Sequence, residues 1–250
     1  MPLYLQAGLW GLVAGSALMI GAFTGFYFKI HYRVIASVMA FGSGVLISAL
    51  SFDLMDEAFK RGGIDSSAIG FISGALIYTG INYLLSLKGA KHRKRSGHQQ
   101  PKADGEDDKG LALAVGALID GIPESIVIGL TMLKGGNVST VAVIAIFMSN
   151  LPEGLSSAAG MKKAGRSALY IFGVWGSIAL ISGLASLAGF TLFSGFSPDV
   201  IAFSTALAAG AILAMIVDTM IPEAYENTHN FAGLITVVGF ITAFFLTKIG

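Results

Sequence analysis

The sequence predicts an all-α integral membrane protein, with eight transmembrane helices in a 3+2+3 inverted-repeat bundle and both termini outside. Three observations carry that prediction. Of 250 residues, 54% are hydrophobic and only 12% charged, with a mean hydropathy of +0.74, whereas soluble domains carry about 25% charged residues. Eight apolar windows are long enough to cross a hydrocarbon core about 30 Å thick, which takes about 20 helical residues. Parts of the first three windows also recur in the last three.

The windows follow in order. The first, 3 to 28, starts in MPLYLQAGLW, which lacks a basic leading region, so it reads as a membrane helix rather than a cleaved signal peptide. The second, 34 to 59, stops at Lys60 and Arg61, and the third, 65 to 87, follows Gly62-Gly63 and stops at Lys88. Lys88 to Gly110 mixes charges with almost no apolar residue, which predicts a disordered cytoplasmic loop inside a single domain spanning 1 to 250. The fourth window, 111 to 133, ends at Lys134-Gly135-Gly136, and the fifth, 138 to 160, ends before Lys162-Lys163. The sixth, 167 to 191, follows Gly165-Arg166; the seventh, 198 to 223, opens on Pro198; the eighth, 230 to 248, ends at Lys248.

Basic residues orient the bundle. With the N-terminus outside, 12 of 16 lysines and arginines fall on the cytoplasmic side, including Lys29, Arg33, Lys162, Lys163 and Arg166. The net charge of +1 gives no ground for a nucleic-acid partner, and the absence of cysteine excludes disulfides, thiolate metal sites and cysteine nucleophiles. The repeat aligns Leu9-Trp10-Gly11 with Val174-Trp175-Gly176 at an offset of 165, and Gly44 through Glu57-Ala58 with Gly210 through Glu223-Ala224 at 166. Five helices separate the two copies, so the second crosses in the opposite sense, which is the plan of secondary transporters. Helices 4 and 5 then sit between the triplets.

Away from the ends and loops, the ionisable residues in these helices are few and acidic: Asp53 and Glu57 in helix 2, Asp120 and Glu124 in helix 4, Glu153 in helix 5, Asp218 and Glu223 in helix 7. A charge at the bilayer centre costs about 2.5 to 3.5 kcal/mol on insertion scales. Without Lys, Arg or His alongside, such carboxylates must hold protons or a cation from solution. Two motifs concentrate them, DGIPES (Asp120 to Ser125) and SNLPEG (Ser149 to Gly154). Asp120 and Glu124 share a helix face, as do Ser149 and Glu153, and Asn150 lies beside Glu153. Pro123 cannot donate to the Ile119 carbonyl, nor Pro152 to that of Met148. Carboxylate, hydroxyl, amide and freed carbonyl oxygens suit hard divalent cations. Gly121, Gly129, Gly154 and Ala158 are expected to let the two helices approach closely enough to share one ion.

Asp53, Glu57, Asp218 and Glu223 lie toward window ends and are candidates to line the path to and from that site. His92 and His98 fall in the basic loop, and His31 and His229 at cytoplasmic edges, where wet imidazoles are expected.

These features resemble the ZIP (Zrt/Irt-like) metal transporters, as a divergent prokaryotic-type member. The resemblance spans essentially the whole chain, covers IPEA at Ile221 to Ala224, and is most specific in helices 4 and 5, at Pro123-Glu124 and Pro152-Glu153. It implies transport of a divalent cation, zinc or manganese or iron(II), toward the cytoplasm across the inner or plasma membrane. Asp120, Glu124, Asn150 and Glu153 are the implied ligands, with Ser149 assisting. The metal is then substrate, and no cofactor is expected; the lipid bilayer and a second copy of the chain are the other candidate partners. Where the family commonly has His-Asn-x-Pro-Glu-Gly in helix 4, this chain has Asp120 and Gly121, and Ser149 replaces the first polar ligand of helix 5. Oxygen in place of imidazole shifts preference from zinc toward manganese, magnesium or iron(II). Two other readings remain open: an intramembrane aspartyl-type hydrolase, set against the absence of GxGD and of a Gly-x-Ser-x-Gly elbow, and a non-transporting metal-sensing membrane protein.

Overall fold

A computed structural model describes residues 1–87, 107–133 and 135–249. The His92, His98 and disordered-loop expectations up to residue 106 lie outside the described residues. Those residues form helices α1 (Leu3–Tyr27), α2 (Tyr32–Ala49), α3 (Met55–Leu87), α4 (Asp107–Thr131), α5 (Thr140–Lys163), α6 (Ala168–Phe193), α7 (Pro198–Met215), α8 (Ile221–Thr228) and α9 (Ala232–Ile249). Asp107 to Gly110, expected in the loop, are instead the first turn of α4. No strand occurs among the described residues.

Among the described residues, five stretches are long and apolar enough to cross a membrane, two of them much longer than one crossing requires: Tyr32–Leu87 and Pro198–Ile249. Each is interrupted. Gly63 breaks α3 with φ 70° and ψ −168°, a backbone that side-chain-bearing residues avoid. His229, with φ 43°, ends α8 before a 3-10 turn at His229–Phe231. Each stretch also carries one π-helical turn, Leu50–Leu54 between α2 and α3 and Ile216–Met220 between α7 and α8. The two turns are related by the same offset of 166 residues as the sequence match.

Helix starts follow local chemistry. Ser139 and Ser167 cap α5 and α6, their hydroxyls accepting from the Ala142 and Tyr170 amides, and Pro198 sits in the first turn of α7. In lipid, close backbone contact rather than hydrophobic collapse holds helices together, and glycines supply it. A methyl at Gly44 would strike the Thr236 carbonyl and one at Gly239 that of Phe41, which seats α2 on α9. Gly74 against Leu207 and Gly210 against Phe71 seat α3 on α7 in the same way. Gly21 and Gly154 join α1 to α5, while Gly129 and Gly189 join α4 to α6. Leu3 packs near the Gly136 turn, and Thr247 shares a cavity with Ser139, so both chain ends lie at the end of the bundle that carries the α4–α5 turn.

Candidate metal site

Both motifs face inward. Asp120 and Glu124 on α4 are each 1% exposed, and on α5 Ser149, Asn150 and Glu153 are 1%, 4% and 3% exposed. Pro123 and Pro152 lie inside unbroken helices, so the Ile119 and Met148 carbonyls lose their usual amide donors without loss of helical course.

Hydrogen bonds fix several of these groups. The Tyr78 hydroxyl on α3 donates to Asp120 Oδ1 at 2.7 Å. Asn150 Nδ2 donates to the Ala14 carbonyl of α1 at 3.1 Å, which commits the amide nitrogen and orients the side chain. The Ser149 hydroxyl donates to the Ile146 carbonyl at 2.9 Å, leaving its oxygen as an acceptor.

The glycines act differently from expectation. Gly129 receives α6 backbone at Ser186 and Phe190, Gly121 has Ile178 of α6 as its neighbour, and Gly154 receives Leu18 of α1. They bring α4 against α6 and α5 against α1, rather than α4 against α5. Ala158 likewise belongs to a buried cluster with Leu18, Ala22 and Trp175. The physical reason is that a glycine surface takes whichever backbone lies opposite, and sequence spacing does not name that partner. Among the described residues, no three His, Cys, Asp or Glu side chains gather closely enough to hold a metal ion between them.

The four outlying acids separate into distinct environments. Asp53 and Glu57 line a cavity of about 350 Å³ with Thr131, Asn137 and Thr205, at the end of the bundle that holds the chain termini. Ser139 donates to Asp53 Oδ2 at 2.5 Å, and Glu57 pairs with Arg61 at 2.5 Å. Glu223 is not near a solvated end: it is 1% exposed, and Ser156 of α5 donates to its Oε1 at 3.0 Å, three residues after Glu153. Asp218 is exposed and accepts from Asn82 Nδ2 at 3.2 Å. His31 and His229 are both exposed, with His31 Nδ1 accepting from the Arg33 amide.

Tyr78, Asn82, Ser139 and Ser156 contact the acids and were not singled out from the sequence. Tyr78 and Asn82 carried a signal, being four residues apart on one face of an otherwise apolar helix. Single serines in glycine-rich helices carry none.

No protein-family model matches the chain. Among curated proteins it is similar to those named zinc transporter ZupT from Salmonella heidelberg (strain SL476), Salmonella newport (strain SL254) and Salmonella typhimurium (strain LT2). Each is 30% identical over 231 residues, covering 88% of this chain and 86% of the relative. With that identity over nearly the whole length, and with stretches that can cross a membrane several times, the chain is a multi-pass inner-membrane protein and belongs to the ZIP family of metal transporters.

Proposed function

We propose that this protein carries divalent metal cations, zinc among them, toward the cytoplasm along a path lined by the buried acids of α4, α5 and α8. One observation carries the reading: among the described residues the buried charged side chains are Asp120, Glu124, Glu153 and Glu223, and no base is buried with them. Buried negative charge at membrane depth is stable when a cation or protons neutralise it. The relatives' printed names supply zinc as one such cation.

The backbone supports a 3+2+3 inverted repeat of eight crossings. The seats of α2 on α9 and of α7 on α3 exchange under a pseudo-two-fold, as do those of α1 on α5 and α6 on α4. The π turns obey the same relation. A site at such a repeat interface falls near the bilayer midplane, with α4 and α5 exchanged by the axis. Both termini then face outside, and the cavity at Asp53 and Glu57 opens there as an entrance. Glu223, beside Ser156 and one turn beyond Glu153, continues the path inward.

Glu124 and Glu153 supply the charge at the centre, with Asp120 held by Tyr78, and Ser149 and Asn150 adding neutral oxygens. A shell of few carboxylates completed by neutral oxygens suits a carrier, since binding must be strong enough to admit the ion and weak enough to release it. The all-oxygen donor set tolerates manganese and iron(II) beside zinc.

Uptake by the purified protein in liposomes, measured for Zn, Mn, Fe(II), Co, Cd and Mg, tests the proposal. Saturable uptake of zinc together with manganese or iron(II) is expected, with magnesium, which oxygen ligands also suit, moving more slowly because it dehydrates reluctantly. Flux of none of these ions, with the protein folded, would overturn it.

A further inference from the structure

At the end of the bundle opposite the chain termini, the α1–α2 corner and the last turn of α5 enclose a cavity of about 660 Å³. Lys29, His31, Lys162 and Lys163 line it, and none of its described lining residues is an acid. The other walls are apolar, Phe28 and Ile35 among them. Two of the three lysines are held by neighbouring groups. The Lys162 ammonium donates to the Phe26 carbonyl and lies 4.7 Å from the centre of the Phe26 ring, and that of Lys163 lies 3.6 Å from the centre of the Tyr32 ring. His31 is fixed by capping α2.

Three ammonium groups around one cavity repel one another, and an anion seated among them relieves that repulsion. The apolar walls favour an amphiphile over a small hydrated ion. We infer that this corner is a binding site for an anionic phospholipid, its headgroup phosphate among Lys29, Lys162 and Lys163 and the start of its chain against the apolar wall of Phe28 and Ile35. Basic pockets between membrane helices on the cytoplasmic side meet the leaflet richest in such lipids.

Native mass spectrometry of the full chain in nonionic detergent, without metal, tests the site independently of transport. Phosphatidylglycerol is expected to be retained in preference to phosphatidylcholine. The combined variant Lys29→Gln, Lys162→Gln, Lys163→Gln is expected to weaken phosphatidylglycerol about 100-fold, at about fivefold per surface lysine, whereas Lys248→Gln at the opposite end leaves it unchanged. Equal retention of the two lipids, or undiminished binding by the combined variant, overturns the proposal. So does inorganic phosphate competing as strongly as the lipid, which would make this a free-anion site. Should the combined variant fail to fold, Lys29→Gln alone is expected to weaken retention about fivefold, and no change would overturn the site.

Discussion

Asp120, Glu124 and Glu153 are each almost fully buried, yet the groups that hold them differ, and those differences set what each substitution does. Asp120 is anchored by a phenol: Tyr78→Phe keeps the ring and removes one hydrogen bond, at a cost of about 1 kcal/mol. Thermal unfolding in detergent should fall by about 2 to 4 °C, the shift expected per kcal/mol for a chain of this size. Ser156→Ala should cost a similar amount by removing the donor to Glu223, and it should also alter metal flux while leaving metal binding at the centre near its original strength. Equal losses of binding and flux would place Glu223 in the central site rather than beyond it. At the other end, Asp53→Asn weakens the negative charge of the entrance cavity. Its expected signature is a raised KM for metal, with kcat held, and a diminished dependence on ionic strength.

At the scale of elements, the helices were legible in the sequence because apolar length and the charges that interrupt it are physical requirements of a bilayer. Gly62-Gly63, Gly135-Gly136 and Gly165-Arg166 marked three breaks between helices correctly. The start of α4 was missed because Asp107 to Gly110 is as polar as the segment before it, and a helix that projects from the membrane needs no apolar residue to do so. The pairing of helices was not legible. Gly129 and Gly154 looked like seats for each other's helices, but contact partners depend on the fold as a whole, and here they are α6 and α1. This gives a direct test of packing. Gly154→Ala or Gly44→Ala places a methyl against backbone that cannot rotate away, and each should destabilise by about 1 to 3 kcal/mol. Gly173→Ala, where nothing lies within 4 Å, should leave the unfolding temperature unchanged or slightly raised. Equal effects at Gly154 and Gly173 would contradict the assignment of α1 as the partner of α5.

For the molecule as a whole, Asp53 and Glu57 line one cavity with Arg61, and the charged residues buried among those described, Asp120, Glu124, Glu153 and Glu223, are all acids. The sequence located the acids because so few charges occur in its apolar windows; it undervalued Glu223, which lies near the end of its window but is covered by α5. The polar companions that hold the acids come from other helices, and only folding reveals them. The central claim is that the carboxylates after the two helix prolines hold the transported cation. It is tested most directly by zinc uptake into liposomes containing purified protein with Glu124→Gln or Glu153→Gln, alongside zinc binding to the same preparations. Each substitution removes a charge with almost no change in volume. Both variants are expected to fold, to bind zinc at least about tenfold more weakly, the loss seen even when a partner behind a metal ligand is removed, and to transport it correspondingly slowly. Binding and uptake at the original level in both variants would contradict the claim.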